Sequence, residues 1–229
     1  MRAAGKGNGR ISDMAWLLLL ALSAGEWRKL GLARISSGEL KLATPALERA
    51  CALEKPPVDS CYYLARNYYA LTEYEAARQA FDHAIEIAPA GRVYRGSAMN
   101  YAALGRDEEA ERHFRKAVEL GADDARIDLG AFLFRQGRSE EAAKLLDAAV
   151  QATPDSARAN MESGRVLLQL GQLEAAAKRL EKATQRNPSD WNAHLLLGRA
   201  YQRLGRDAEA ARELRLGESG WRRKQPESR

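Results

Sequence analysis

The amino-acid sequence predicts an all-α fold, a right-handed α-solenoid of stacked helix-turn-helix repeats. Three observations support the prediction. The chain of 229 residues resembles itself at a period of about 34 residues. Small and large apolar residues recur at fixed positions in each period, and the apolar residues between them follow helical spacing. One such repeat cannot bury its apolar face alone, so stacked repeats are needed to form a continuous core.

The first helix of each repeat, helix A, has a small residue at one slot and a turn residue seven positions later. The small slot is glycine or alanine in all six repeats: Gly31, Ala65, Ala98, Gly130, Gly164 and Gly198. The turn slot is glycine except in the second repeat: Gly38, Thr72, Gly105, Gly137, Gly171 and Gly205. Glycine takes the left-handed conformation that ends a helix, so helix A is expected to end there.

The second helix of each repeat, helix B, has an alanine slot and a large apolar slot four residues further on. The alanine slot is occupied by Ala43, Ala77, Ala110, Ala142, Ala176 and Ala210. The large slot is occupied by Leu47, Phe81, Phe114, Leu146, Leu180 and Leu214. The small slots let two helices approach closely, and the large side chains fill the space between them.

These motifs resemble the tetratricopeptide repeat, a helix-turn-helix unit with the pattern W-x-x-L-G-x-x-Y, then alanine, phenylalanine and proline. The first repeat reads Trp27-x-x-Leu30-Gly31, and the last reads Leu197-Gly198-x-x-Tyr201. The tryptophan slot departs from the pattern after the first repeat. The resemblance implies repeats at 24–57, 58–90, 91–122, 123–156, 157–190 and 191–224. The repeat domain is assigned to residues 24–217, and residues 218–229 are expected to be a basic, disordered tail.

The resemblance also implies a binding surface, because helix A lines the concave face of such solenoids. The residues expected to bind a partner there are Tyr62, Arg66, Tyr69, Arg95, Met99, Phe134, Arg165 and Arg199. The corresponding positions hold nine arginines in all: Arg28, Arg66, Arg92, Arg95, Arg135, Arg158, Arg165, Arg199 and Arg203. They hold only two acidic residues, Asp59 and Asp124, while Tyr and Met would provide apolar anchorage.

The distribution of charge narrows the classes of partner. The net charge of +5 comes from the two ends, where the first 13 residues contribute +2 and the last nine contribute +3. The body between them is neutral, which argues against nucleic acid as the partner. The arginine excess on one face instead predicts an acidic or carboxylate-bearing protein segment. The alternative is that these arginines form salt bridges with neighbouring repeats or face water.

No catalytic constellation is visible, so the sequence predicts a non-catalytic interaction scaffold without a metal or other cofactor. The three histidines, His83, His113 and His194, lie in different repeats, and no HExxH, CxxC, P-loop or GxGxxG motif occurs. One alternative is an accessory subunit that uses its convex face in an envelope or secretion assembly. The other is a ligand-carrying or enzyme-like domain. The oligomeric state is not predicted.

Residues 1–23 have the layout of a secretory signal peptide. A basic, glycine-rich stretch precedes the apolar run from Ala15 to Leu22, and small residues follow it at a candidate cleavage site after Ser23 or Ala24. The prediction is an exported protein, periplasmic or secreted. The alternative is a capping helix packed on the first repeat of a cytoplasmic protein. The apolar run is too short to be a transmembrane anchor.

Cys51 and Cys61 flank Pro56-Pro57 and belong to adjacent helices of the first two repeats. In an exported chain, a disulfide bond between them would staple the first joint between repeats. In a cytoplasmic chain, both would be small buried residues with free thiols.

Overall fold

A computed structural model describes residues 22–53 and 58–224 of the chain. This part of the chain contains twelve α-helices and no β-strand. Within it, no helix is both long enough and apolar enough to cross a membrane. The chain divides into two compact units, Met1–Ala110 and Glu111–Arg229.

The first unit contains five complete helices and the start of a sixth. They are α1 (Ala24–Ser36), α2 (Leu40–Leu53), α3 (Val58–Ala70), α4 (Tyr74–Ile87), α5 (Gly91–Ala103) and α6 (Asp107–Glu119), with α6 continuing into the second unit. The core of this unit is formed where α2, α3 and α4 meet, around Leu47, Ala65 and Phe81. From α1 to α5, each helix packs against the next, which is the arrangement expected of stacked hairpins.

The second unit contains the end of α6 and six further helices. They are α7 (Ala125–Arg135), α8 (Ser139–Ala152), α9 (Ala157–Gln169), α10 (Leu173–Arg186), α11 (Trp191–Arg203) and α12 (Asp207–Lys224). Each of the six predicted repeats therefore supplies one helix A and one helix B. The A helices are α1, α3, α5, α7, α9 and α11.

The small slot of helix A allows a close approach to helix B. A Cβ atom added to Gly164 would lie 2.5 Å from Cγ of Leu180, and one added to Gly130 would lie 2.7 Å from Cγ of Leu146. Both leucines are fully buried. The leucine side chain therefore occupies the space that a larger residue at the small slot would need.

The turn after helix A has the left-handed backbone that the sequence predicts. Gly105 and Gly171 have φ angles of 71° and 76°. Thr72 has the same geometry, with φ of 62°, although a β-branched residue is strained there. The second repeat thus keeps the turn of the others at a cost in backbone energy.

The start of α1 coincides with the predicted start of the first repeat at residue 24. Ser23 is the N-cap: its side chain accepts a hydrogen bond from the Glu26 backbone, and the Glu26 carboxylate accepts one from the Ser23 backbone at 2.7 Å. Cleavage directly after Ser23 would remove this capping box, worth about 1 kcal/mol. The rest of the predicted signal peptide, residues 1–21, lies outside the described residues.

The prediction of a disordered tail from residue 218 is wrong for residues 218–224, because α12 runs on to Lys224. Gly217 does not end the helix. A Cβ atom there would lie 2.6 Å from the Leu195 side chain, and one on Gly220 would lie 2.7 Å from Cβ of Trp191. These glycines let α12 pack closely along α11, and that packing sustains the helix. Residues 225–229 lie outside the described residues.

In the last two repeats, the tryptophan slot of helix A holds polar residues that bond to the preceding loop. The Asn160 side chain donates to the Pro154 carbonyl at 2.9 Å. Nε2 of His194 lies 3.0 Å from the Pro188 carbonyl, and Nδ1 lies 2.6 Å from the Glu213 carboxylate. His194 is thus a buried packing residue at the joint between repeats.

Candidate functional site

Five of the eight predicted binding residues line one cleft between α3 and α5, with a volume of about 320 Å³. We call it the amino-terminal cleft, and its lining residues are Tyr62, Arg66, Tyr69, Ala70, Phe81, Arg92, Arg95, Gly96 and Met99. Residues four and seven positions apart share one face of a helix, which explains how α3 presents Tyr62, Arg66 and Tyr69 together. The A-helix phase deduced from the sequence therefore identified most of this lining.

The floor of the amino-terminal cleft is aromatic. The ring centroids of Tyr62 and Phe81 lie 6.4 Å apart. A Cβ atom on Gly96 would lie 2.6 Å from the Phe81 ring, so only glycine leaves room for the ring between α3 and α5. Sequence reasoning assigned Phe81 to the core and did not single out Gly96, because Gly96 lies outside the repeating slots.

Two arginines approach the Tyr62 ring. The guanidinium carbons of Arg66 and Arg92 lie 5.7 and 5.2 Å from its centroid, within the range of cation–π attraction. Arg92 also forms an ion pair with Asp59. Arg66 has no acidic partner among the described residues. Its charge remains available at the rim of an aromatic floor.

The remaining apolar members of the amino-terminal cleft differ in exposure. Met99 on α5 is 39% exposed, which is unusual for a large apolar residue. Tyr69 is half-buried, and its ring centroid lies 5.5 Å from that of Tyr74. Both side chains can add apolar contact area next to the arginines.

The other three predicted binding residues line a second cleft, in the second unit, with a volume of about 500 Å³. We call it the carboxy-terminal cleft, and its lining residues are Phe134, Arg165, Leu168, Gln169, Asn192, Leu196, Arg199, Gln202 and Arg203. It lies along α9 and α11, with Phe134 contributed by α7. The predicted site residues thus form two groups, one in each unit.

Most arginines of the carboxy-terminal cleft are already bonded. Arg165 lies 3.3 Å from the Glu162 carboxylate, and Arg203 donates to the Leu168 carbonyl at 2.6 Å. Arg199 has no acidic partner among the described residues. This cleft consequently offers less unbalanced positive charge than its number of arginines suggests.

Buried acidic residues reduce the positive charge of the A-helix face in the second unit further. Asp128 is buried and forms an ion pair with Arg158, which also lies 3.3 Å from Asp124. Burial raises the pKa of Glu162, and the guanidinium groups of Arg165, Arg158 and Arg135 only partly oppose this rise. The alternative interpretation, arginines in salt bridges, therefore applies to Arg158 and Arg165, as it does to Arg92 in the first unit.

Cys51 and Cys61 meet at the joint between α2 and α3. Their Cα atoms lie 4.7 Å apart, and the structure joins their sulfur atoms in a disulfide bond. Both residues belong to the core of the first unit. This geometry agrees with the expectation for an exported chain, in which a disulfide bond joins the first two repeats.

The fold and the clefts define a class of protein, an all-α repeat scaffold whose A helices line surface clefts. Sequence profiles described as tetratricopeptide repeat match residues 95–157 and 161–220, and a second such profile matches residues 58–90. The chain belongs to the tetratricopeptide repeat family. Members of this family are generally non-catalytic scaffolds, and the fold is consistent with protein–protein interaction.

Several solved structures share the fold. PilW, described as a widely conserved type IV pilus biogenesis factor, is 22% identical with a TM-score of 0.73, covering 90% of this chain and 94% of that one. PilF of Pseudomonas aeruginosa is 17% identical with a TM-score of 0.74, covering 86% and 91%. YrrB, described as a TPR protein with an unusual peptide-binding site, is 23% identical with a TM-score of 0.59, covering 80% and 94%.

These likenesses confirm the predicted fold class, a TPR-like α-solenoid. No curated protein matches the sequence.

Proposed function

We propose that the protein is a non-catalytic scaffold that binds an acidic, extended segment of a partner protein on its A-helix face. The observation that supports this most is the amino-terminal cleft, where Arg66 lies beside the Tyr62 ring without an acidic partner among the described residues. A guanidinium group in this setting can bind a carboxylate in bidentate fashion.

The amino-terminal cleft is the better anchor of the two because its charge and its apolar surface coincide. It is lined by three arginines and no acidic residue, and one of the three, Arg92, pairs with Asp59 outside the lining. Tyr62, Tyr69 and Met99 supply apolar contact around them. A partner segment in which an acidic residue adjoins an apolar residue fits this combination.

The test is a titration with a fluorescent peptide that alternates Glu and Leu, followed by fluorescence anisotropy. We expect Arg66→Ala and Tyr62→Ala each to weaken binding at least about tenfold, equivalent to about 1.4 kcal/mol. The matched control is Arg112→Ala, which removes an exposed arginine of α6 outside both clefts and should leave binding unchanged. Binding should fall with added salt, because exposed charges are screened.

Two results would contradict the proposal. One is equal affinity for a peptide in which Gln replaces every Glu. The other is an Arg66→Ala variant that keeps both its helical circular dichroism and its full affinity. Co-purification from the native host would then identify the natural partner of the wild-type protein and show whether the same variants lose it.

A second candidate function is an accessory subunit of an envelope or pilus assembly that uses the B-helix face. The extent of the matches to PilW and PilF favours it, since they run almost end to end on both chains. The B-helix face weighs against it. Charged side chains of α6 and of the start of α8 already pair with one another. Arg115 lies 2.6 Å from Glu141, and Arg138, the residue before α8, lies 2.6 Å from Glu111. Loss of native assembly in Arg115→Glu, but not in Arg66→Ala, would favour this second function.

We propose further that the protein is exported. The support is the basic, apolar and small-residue layout of residues 1–23, together with the disulfide geometry of Cys51 and Cys61. Amino-terminal sequencing of the mature protein tests this directly. A chain that begins at Met1 or Met14 would contradict the proposal.

A further inference from the structure

A third side chain lies beside the two cysteines. Ligand atoms of Cys51, Cys61 and His83 all lie within 4.8 Å of one another. Cys51 lies near the end of α2, Cys61 in the first turn of α3 and His83 near the end of α4. Three helices of the first unit therefore converge at one point, and each supplies one donor of the kind that binds a transition metal. The sequence alone did not show this, because His83 is 22 residues from Cys61 and follows no metal-binding spacing.

The chemistry of the three donors is specific. Thiolate and imidazole ligands bind Zn²⁺ tetrahedrally, at about 2.3 Å for sulfur and about 2.0–2.1 Å for nitrogen. Donors around one such ion lie less than about 4.6 Å apart, which is twice the longer of these bonds. The exposed His83 side chain can rotate towards the two sulfurs, which brings its ring nitrogen into that range. Two thiolates also balance the charge of a divalent ion, so the bound site is neutral.

We propose that the Cys51–Cys61 pair is a redox-gated metal site. With the disulfide formed, neither sulfur is a thiolate and the site is closed. After reduction, Cys51, Cys61 and His83 bind one Zn²⁺ or a similar ion.

The steps balance when a dithiol acts as the reductant. It transfers two electrons, its own two thiols become a disulfide, and thiols form on Cys51 and Cys61. The incoming ion then displaces one proton from each thiol.

The different exposures of the three side chains suit this role. Cys61 is fully buried and Cys51 is 9% exposed, so the core holds both sulfurs in place. His83 is exposed, which gives the ion a path to the site. With three protein ligands, the fourth tetrahedral position is left to water or to a donor from another molecule. None of these residues lines either cleft, so the inference is independent of the proposed function.

The experiment uses the full chain and Co²⁺ alone as the probe. The protein is reduced with dithiothreitol, freed of it by anaerobic gel filtration and titrated with Co²⁺. We expect one ion per chain and a thiolate-to-cobalt charge-transfer band, whereas the oxidised protein shows no band. Added Zn²⁺ should remove the band by displacement.

Two variants make the result decisive. Because His83 is exposed, His83→Gln should fold normally, and we expect it to weaken Co²⁺ binding at least about tenfold. The matched control His113→Gln alters a histidine of the next repeat and should bind as the wild type does. Cys51→Ser should abolish the band. The proposal is overturned if reduced wild-type protein shows no charge-transfer band, or if His83→Gln binds Co²⁺ as tightly as His113→Gln.

Discussion

The two clefts share most of their repeat positions but carry different side chains there. The amino-terminal cleft has an aromatic floor of Tyr62 and Phe81, whereas the carboxy-terminal cleft contains Leu168, Leu196 and several amides. Each cleft has one arginine without an acidic partner among the described residues, Arg66 in the first and Arg199 in the second, and Arg66 lies beside the Tyr62 ring. The repeat therefore determines which positions line a cleft, and the residue types at those positions determine what the cleft can bind.

The packing of the repeats shows a second difference, in the pairing of the small slot with the large slot. Glycine packs against leucine in Gly31/Leu47, Gly130/Leu146, Gly164/Leu180 and Gly198/Leu214. The second and third repeats instead hold alanine and phenylalanine at these slots, Ala65 with Phe81 and Ala98 with Phe114. Leucine branches at Cγ, the atom that a Cβ on Gly164 would meet. A phenylalanine ring is flat where leucine branches, so we expect it to leave room for the methyl group of an alanine such as Ala65. The repeats thus use two solutions to one packing problem.

The largest expected effect concerns the disulfide, which staples only the first unit. We expect Cys51→Ser/Cys61→Ser to lower the free energy of unfolding of that unit by about 2–3 kcal/mol, because the bond closes a loop of about ten residues in the unfolded chain. Urea denaturation with a metal chelator present measures it. Reduction of the wild type should give a similar loss, and reduction of the double variant should give none. A double variant as stable as the oxidised wild type would show that the bond does not stabilise the fold.

Changing a glycine–leucine pair towards an alanine–phenylalanine pair should have the next largest effect on stability. We expect Gly164→Ala to destabilise the second unit by about 1–3 kcal/mol, because its Cβ would overlap Leu180. Adding Leu180→Phe should recover part of this loss by restoring the alanine–phenylalanine pair. Thermal unfolding of the two single variants and the double variant measures the coupling energy. The control is Gly25→Ala, where a Cβ meets nothing within 4 Å. Simple additivity of the two changes would contradict the pairing rule.

A smaller effect is expected at the turn of the second repeat. Thr72→Gly should raise stability by about 0.5–1 kcal/mol, because it relieves a β-branched residue at φ of 62°. The reverse change, Gly105→Thr, should lower it by about 1 kcal/mol. A Cβ at Gly105 meets nothing within 4 Å, so backbone strain alone is measured. Chemical denaturation of both variants should give shifts of opposite sign.

The smallest effect concerns a feature that the two units share. Burial, aided by hydrogen bonds to Glu48 and Glu181, raises the pKa of Tyr68 and of Tyr201 to about 12, from the ordinary value of 10.0. Because the folded-state pKa is the higher one, the stabilisation is complete below pH 10 and is lost as the pH rises towards 12.

A spectrophotometric titration of tyrosinate checks this, since Tyr68→Phe and Tyr201→Phe should each remove one late-titrating group. A curve in which all tyrosines ionise together near pH 10 would contradict it.

The sequence by itself determined the repeat, the helices and the positions that face the clefts. This was possible because each slot occurs once in every repeat and the apolar residues between the slots follow the helical turn. The alanine slot and the turn glycines therefore fixed which residues of each A helix share a face. It also placed Tyr62, Arg66 and Tyr69 on one face, since that requires only helical periodicity.

Only the tertiary structure decided which of those positions act together. Ile127 occupies the position in the fourth repeat that Tyr62 occupies in the second, yet it is only 2% exposed. Gly96 and Phe81 complete one cleft and His83 approaches the cysteines, although none of these contacts follows the period. Pairing of Arg158 with Asp128 and continuation of α12 through Gly217 likewise depend on contacts between helices. Periodicity is a property of one helix, whereas burial, ion pairing and ligand geometry depend on distances between helices.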